Sequence, residues 1–372
     1  MKKIVFGITS LTIGGAERVL IDLANRLCED YDITILTIYA KGELEKQLSP
    51  KVKKKSLYPF SYQEIPKRKQ KLLSLQIFFL KHWIYHKKIR ENYDVEVAFL
   101  EGPITRLLSV KNKKVKKIAW VHNDIGLVFG EGWKSVLKKY YDRKIYSQYD
   151  TLVFVSRDNR KSFEKIYPDL RNDELMHVPM RVIYNYINQE KIIQKAQEEI
   201  NISFQKPNFV EVARLTKQKA IDRLIQIHSK LIQQGYYHHF YIIGDGPEKE
   251  EIEKKINYYK VGKTFHLMGQ QENPYPYMKQ ADTMVLLSYY EGYPMVVEES
   301  KILKKEILIT DTAAREVVQD YPNAIIVENT EEGIEKGLKE KLKKNRTENN
   351  QEYIYNNEKI IEKVIKVLGD KK

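Results

Sequence analysis

Short apolar runs rich in Val and Ile alternate with longer amphipathic segments from one end of this 372-residue chain to the other. That alternation constrains the fold more than any other feature, because it calls for parallel strands joined by helical crossovers, an α/β architecture. Strands are predicted at residues 3–9, 33–39, 95–100, 117–122 and 151–156, then at 208–212, 239–243, 264–268, 283–288, 306–310 and 324–327. Near-continuous apolar strands such as TMVLLS suit sheets covered on both faces. The length accommodates about two domains, and residues 180–208 read as the join, with no Gly/Ser linker to mark it. In YIYNNEKIIEKVIKVLG, Ile354, Ile360, Ile361, Val364, Ile365 and Leu368 fall mostly at helical spacing, which predicts a terminal helix.

Charge is unevenly spread. The chain carries 64 Lys and Arg against 50 Asp and Glu, a formal charge of +14. Residues 1–185 hold 35 basic and 21 acidic residues, whereas the remainder holds 29 of each; residues 51–117 have 18 basic and 5 acidic. Such a segment is either a solvated basic face or a surface attracted to anionic lipid or nucleic acid. A hydrophobic share of 42% argues against disorder. The single cysteine, Cys28, excludes an internal disulfide framework and a cysteine-built zinc site, and suits a reducing compartment. The N-terminus runs straight into a strand, unlike a signal peptide. Residues 72–85 are interrupted by Gln76, Lys81 and His82, short of the roughly 20 apolar residues a transmembrane helix needs. Amphipathic residues 72–90 fit either an interfacial helix or a crossover helix, and the strand DVEVAFL that follows favours the crossover.

Several loops carry candidate chemistry. Gly14 and Gly15 follow the first strand and precede a helix, where backbone amides can approach a ligand at the positive helix end; a GG pair is as readily a plain turn. In VARLTKQKAIDRLI, Arg214 and Lys219 lie five residues apart after a strand. A planar guanidinium and an ammonium in one loop can neutralise a diphosphate, although an isolated pair of this kind is more often solvated. In GDGPEKEEIE, Gly244 to Pro247 fall between a strand and a helix with acidic residues in its first turn, good capping chemistry in its own right. The most specific segment is ADTMVLLSYYEGYPMVVEESK, where Gly292 and Pro294 turn the chain into a helix, and Glu291 and Glu299 offer carboxylates to sugar hydroxyls. Glu298 should point to another face and is expected at the surface. Asp30 and Asp32 read as a solvated turn rather than a metal site.

In this order and context, GGAERVLIDLA, WVHND, VFVSRDNRKSF, VIYNYIN, VARLTKQKAIDRLI, YIIGDGPEKEEIE, HLMGQQENPYPYM, ADTMVLLSYYEGYPMVVEES and ILITDTAARE resemble the retaining glycosyltransferases of family 4 over nearly the whole chain. The resemblance implies the GT-B fold: two facing Rossmann-like parallel-sheet domains with a cleft between them. Residues 1–182 would form the acceptor-side domain, joined by a terminal helix at about 353–372 that crosses back to it, and 183–352 the donor-binding domain. It further implies that Arg214 and Lys219 hold the diphosphate of a nucleotide-sugar, Glu299 the ribose and Glu291 the hexose. Gly292, Tyr293, Pro294 and Met295 would meet sugar or phosphate, and Met268 and Gly269 the base. Gly14 and Gly15 would approach the donor, and His122 would line the reaction centre. Transfer would proceed with retention and without a metal or other cofactor, from a UDP-sugar donor to a glycan or lipid-linked acceptor of a bacterial surface polysaccharide.

The implied protein is cytoplasmic, peripheral at the inner face of the plasma membrane, with basic residues 51–117 toward anionic lipid and no nucleic-acid partner. Ala313 and Ala314 in TDTAARE, and Ala213 and Ala220, stand where relatives commonly have glycine, which bears on loop shape and donor preference. Two competing classes remain. One is a catalytically silent sugar-nucleotide-binding scaffold, opposed by intact Arg214, Lys219, Glu291 and Glu299; the other is a nucleic-acid binder, which lacks an aromatic-basic RNA motif.

Overall fold

The computed structural model describes residues 1–89, 91–123, 125, 133–172, 177–343 and 353–369. The chain divides into two compact units, Met1–Ile187 with Asn356–Lys372, and Asn188–Tyr355. Each is a parallel sheet with helical crossovers.

In the first unit the strands are β1 (Lys3–Ile8), β2 (Asp32–Ala40), β3 (Lys53–Ser61), β4 (Val95–Ala98), β5 (Lys116–Val121), β6 (Thr151–Phe154) and β7 (Met180–Val182), in the order β3-β2-β1-β4-β5-β6-β7. The helices include α1 (Gly15–Leu27), α2 (Lys67–Lys88), α3 (Pro103–Leu108), α4 (Trp133–Tyr146) and α5 (Arg157–Ile166). Helix α1 forms because Val19, Leu20, Leu23, Ala24 and Leu27 repeat at helical spacing; that stripe is buried, each large side chain contributing roughly 1.5–3 kcal/mol. Gly7 in β1 admits α3: a Cβ there would lie 2.7 Å from Ile104 and Leu108 side-chain carbons. Neighbouring β4 and β5 place Glu96 and Lys117 in register, and the two form a buried ion pair of 2.6 Å, with the Tyr85 hydroxyl donating to Glu96 at 2.6 Å.

Strands β3 and β7 were not expected. β3, KKKSLYPFS, lacks an apolar run because it is an edge strand: lysines discourage further pairing, and Pro59, lacking an N–H, falls where the register with β2 shifts. Its lysines are paired, Lys53 with Asp32 at 2.7 Å, Lys55 with Glu91 at 2.5 Å, and Lys54 with Glu45. The segment read as amphipathic from residue 72 is helical from Lys67 to Lys88, with non-helical backbone at Leu80; Arg90 lies outside the described residues. The terminal helix Asn357–Leu368 packs into this first unit. Its last carbonyls are held by its own unit, Lys2 Nζ donating to Leu368 O at 2.9 Å.

The second unit contains β8 (Asn208–Val212), β9 (His239–Ile243), β10 (Phe265–Leu267), β11 (Thr283–Leu286), β12 (Glu306–Thr310) and β13 (Ala324–Val327), ordered β10-β9-β8-β11-β12-β13. Its helices include α6 (Gln189–Lys195), α7 (Ile221–Gln233), α8 (Lys249–Tyr258), α9 (Tyr275–Gln280), α10 (Met295–Ile302) and α11 (Glu331–Lys343). Leu224, Ile225 and Leu231 of α7 pack with Phe209, Phe240 and Leu308 of the sheet. In both sheets the order reverses beside the first strand, so a crevice for ligands is expected at the carboxyl ends of β1/β4 and of β8/β11.

Candidate active site

The loops at the β8/β11 reversal are stitched together. Tyr289 N donates to Gln218 O and Gln218 Nε2 to Tyr290 O, both at 2.9 Å. This sets Lys219 Nζ 2.6 Å from Glu291 Oε1, both side chains largely buried. Arg214, on the same loop after β8, is exposed, and no described residue pairs with its guanidinium. Beneath them, Arg223 donates to Leu287 O at 2.8 Å and to Asn329 Oδ1 at 2.9 Å, and stacks over Tyr289.

The sequence reading missed Glu211, the β8 carboxyl just upstream. It is fully buried, and neither oxygen has a hydrogen-bond partner among the described residues. Burial, opposed by Lys219 and reinforced by Glu291, pushes it up to about 8, so it is predominantly protonated at neutral pH. Only the fold shows that its alternation in FVEV turns this carboxyl inward.

Gly244, after β9, has φ +147°, and a Cβ there would run into the Ala213 carbonyl; the GDG turn therefore closes on the Arg214 loop, with Leu215 N donating to Asp245 O at 3.0 Å. Gly244 N donates to Gly269 O at 2.8 Å, placing the Met268–Gly269 backbone beside this turn. Glu299, on α10, accepts from the Tyr275 hydroxyl at 3.1 Å, a partner the sequence did not single out.

Glu298 corrects the surface expectation. It is 2% exposed, pairs with Lys301 at 3.0 Å, and accepts from the hydroxyls of Tyr293 at 2.6 Å and Tyr353 at 3.0 Å. Tyr293 and Lys301 are near it in sequence, whereas Tyr353 comes from well beyond α10 and only the fold brings it in. Tyr293 thus has its hydroxyl engaged within the unit, and burial followed by Glu298 pushes its pKa up. Gly292 and Pro294 form the turn into α10, which begins at Met295. Ala313 and Ala314 keep negative φ, so alanine is unstrained there, whereas Ala220 adopts φ +53°, the left-handed conformation glycine favours.

In the first unit, His122 follows β5. Its Nε2 is buried without a partner among the described residues, its ring lies 4.7 Å from Phe99, and burial lowers its pKa to about 3, so the imidazole is neutral. Glu101 shapes this turn, accepting from His122 N at 2.5 Å and Asn123 N at 2.7 Å; it too escaped the sequence reading. Gly14 caps α1, and the space its missing Cβ leaves is occupied by the Glu17 carboxylate; Gly15 opens the helix. Burial raises the Glu17 pKa. Asp30 and Asp32 pair with Arg26 and Lys53 respectively.

Residues 13–191 match the family described as Glycosyltransferase Family 4, and residues 192–360 that described as Glycosyl transferases group 1. With its two Rossmann-like sheets, the chain belongs to these glycosyltransferases and has the GT-B fold. It is 27% identical, over 92% of its length and 90% of the relative's, to an N-acetylgalactosamine-N,N'-diacetylbacillosaminyl-diphospho-undecaprenol 4-alpha-N-acetylgalactosaminyltransferase of Campylobacter jejuni. A second C. jejuni relative, an alpha-1,4-N-acetyl-D-galactosaminyltransferase acting on a longer undecaprenol-linked saccharide, is 26% identical over 88% of the chain and 85% of the relative. Among solved structures, Staphylococcus aureus TarM superposes with a TM-score of 0.71 at 14% identity, all of both chains covered. Anabaena HepE with UDP and glucose gives 0.68 at 16% identity, covering 92% and 90%.

Proposed function

We propose that this chain is a retaining, metal-independent glycosyltransferase that moves a hexosyl or N-acetylhexosaminyl group from a UDP-sugar to a lipid-linked saccharide or other glycan acceptor in bacterial surface polysaccharide synthesis. It would act at the cytoplasmic face of an anionic membrane toward which the basic 51–117 segment is turned. The observation that carries the donor assignment is the Lys219–Glu291 pair at 2.6 Å beside the exposed Arg214, at the strand-order reversal of the second unit. The acceptor class is supported by what the two C. jejuni relatives are named for.

In this reading Arg214 and Lys219 neutralise the diphosphate as it leaves, while Glu291 and Glu299 hold sugar and ribose hydroxyls. The acceptor oxygen attacks the anomeric carbon on the face the diphosphate departs from. The carbon–oxygen bond to phosphate breaks, the glycosidic bond forms, and the acceptor proton ends on a phosphate oxygen. Neutral His122 donates or accepts a hydrogen bond near the sugar and carries no charge of its own.

The test is a thermal-shift screen of UDP-sugars and GDP-mannose, followed by transfer assays with and without EDTA and assignment of the product anomer. A donor should raise the melting temperature by mass action. No shift with any UDP-sugar, or full activity of Glu291→Ala, would overturn the assignment, and donor binding without any transfer would indicate the scaffold instead.

A further inference from the structure

Helix α2 is apolar on two faces. Leu73, Ile77, Ile84 and Tyr85 face the core of the first unit, which accounts for its role as a crossover. Leu72, Leu75, Phe79 and Trp83, at 56, 44, 73 and 57% exposure, recur at three- and four-residue spacing along the opposite side and pack against nothing in that core. A crossover helix needs one apolar stripe; the second is unexplained by folding.

The exposed row continues onto α4. Tyr141 meets Phe78 of α2 edge-on at 5.6 Å, and Leu137, Tyr140 and Tyr141, each 49% exposed, share one side of α4. Cations accompany the aromatic rings: Lys87 Nζ sits 4.4 Å over Trp83 and Lys144 Nζ 4.5 Å over Tyr140. Across its 22 residues α2 has seven Lys and Arg and no Asp or Glu. Among the described residues no helix is long and apolar enough to cross a membrane.

We propose that the outer faces of α2 and α4 form a docking surface for an anionic lipid bilayer, with Leu72, Leu75, Phe79 and Trp83 entering the headgroup–acyl boundary and the flanking cations meeting lipid phosphate. The charge complementarity selects this occupant. A second copy of the chain would bring two copies of the acid-free, cationic α2 together, whereas an anionic bilayer satisfies the apolar row and the charge at once. Trp and Tyr beside lysine are the side chains that favour this depth. The proposal deepens, and rests on, the reading of a lipid-linked acceptor above; it locates the contact on α2 and α4 rather than across the whole basic segment.

The test is co-sedimentation of the full chain with phosphatidylcholine vesicles, with or without phosphatidylglycerol, for the wild type and for Phe79→Ser/Trp83→Ser. The wild type should bind the anionic vesicles at least about tenfold better than neutral ones, less so as salt rises. The double variant should lose about tenfold or more of that binding while keeping the wild-type melting temperature and UDP-sugar thermal shift. Unaltered vesicle binding by the variant overturns the proposal. So does a dimeric wild type, seen by sedimentation equilibrium, that the variant converts to monomer with no vesicle binding in either. Vesicle binding that depends on Phe79 and Trp83 without any donor shift leaves the docking surface standing and removes the donor assignment instead.

Discussion

At the reversal of strand order, the two units equip the carboxyl ends of their sheets with different side chains. In the first, acidic side chains already engage the turns: Glu101 accepts from two backbone N–H groups beside His122, and Glu17 fills the space beside Gly14. In the second, the same topological position carries Arg214 and Lys219, with Glu291 paired to Lys219 and Glu299 accepting from Tyr275. On the proposed reading a diphosphate would meet Arg214 and Lys219 in the second unit, although both units have the strand-order reversal of a nucleotide site. Net charge does not report this: the lysine-rich unit is not the one that carries the proposed diphosphate cations.

The largest expected effect is on the second unit. Lys219→Ala or Glu291→Ala should lower kcat by about 10²–10³, measured by transfer to acceptor well below each variant's own melting temperature, which itself should fall because the buried pair loses one partner; similar losses from Glu101→Gln would erase the functional contrast between the units. Next, Lys117→Met should destabilise the first unit by about 3–5 kcal/mol, because it strands Glu96 in the sheet, and denaturant unfolding would show it. A loss under 1 kcal/mol would mean water reaches that pair.

The pH limbs should also separate. Glu211 has a folded pKa raised to about 8, so the fold binds more protons than the unfolded chain between its ordinary carboxylate range and 8, and stability falls as pH rises through that window. Glu211→Gln should flatten this limb and raise stability most near pH 8, read from melting curves against pH. For His122, lowered to about 3, the unfolded state binds the extra proton, and stability is lost as pH falls below 6.5. His122→Gln should recover about 1–2 kcal/mol at pH 5, read from melting curves against pH. The smallest effect is at Ala220: replacing it by glycine relieves left-handed strain of about 1 kcal/mol but removes a buried methyl of similar worth, so the melting temperature should hardly move.

The alternation of Val/Ile runs with amphipathic helices was enough to give eleven of the strands and the parallel class, since buried strands must be apolar on both faces. It was silent on β3 and β7. An edge strand carries lysine and proline because it has no partner on one side, and a three-residue strand has no period to detect. Site loops were visible through Gly, Pro and charge at strand ends. Glu211, Glu298, Glu101 and Tyr275 were not, because each looks like an ordinary surface polar residue until its neighbours are known.

What the sequence determined by itself was therefore local: which segments are strands, where the chain turns, and which loops carry cations and carboxylates. The tertiary structure decided which of these meet. It paired Lys219 with Glu291 across 72 residues and Glu96 with Lys117 across adjacent strands. It also buried Glu298 and left one row of α2 bare. Periodicity reports a helix's two faces but not what covers them, and burial, which sets both pKa and partner choice, belongs to the packed fold.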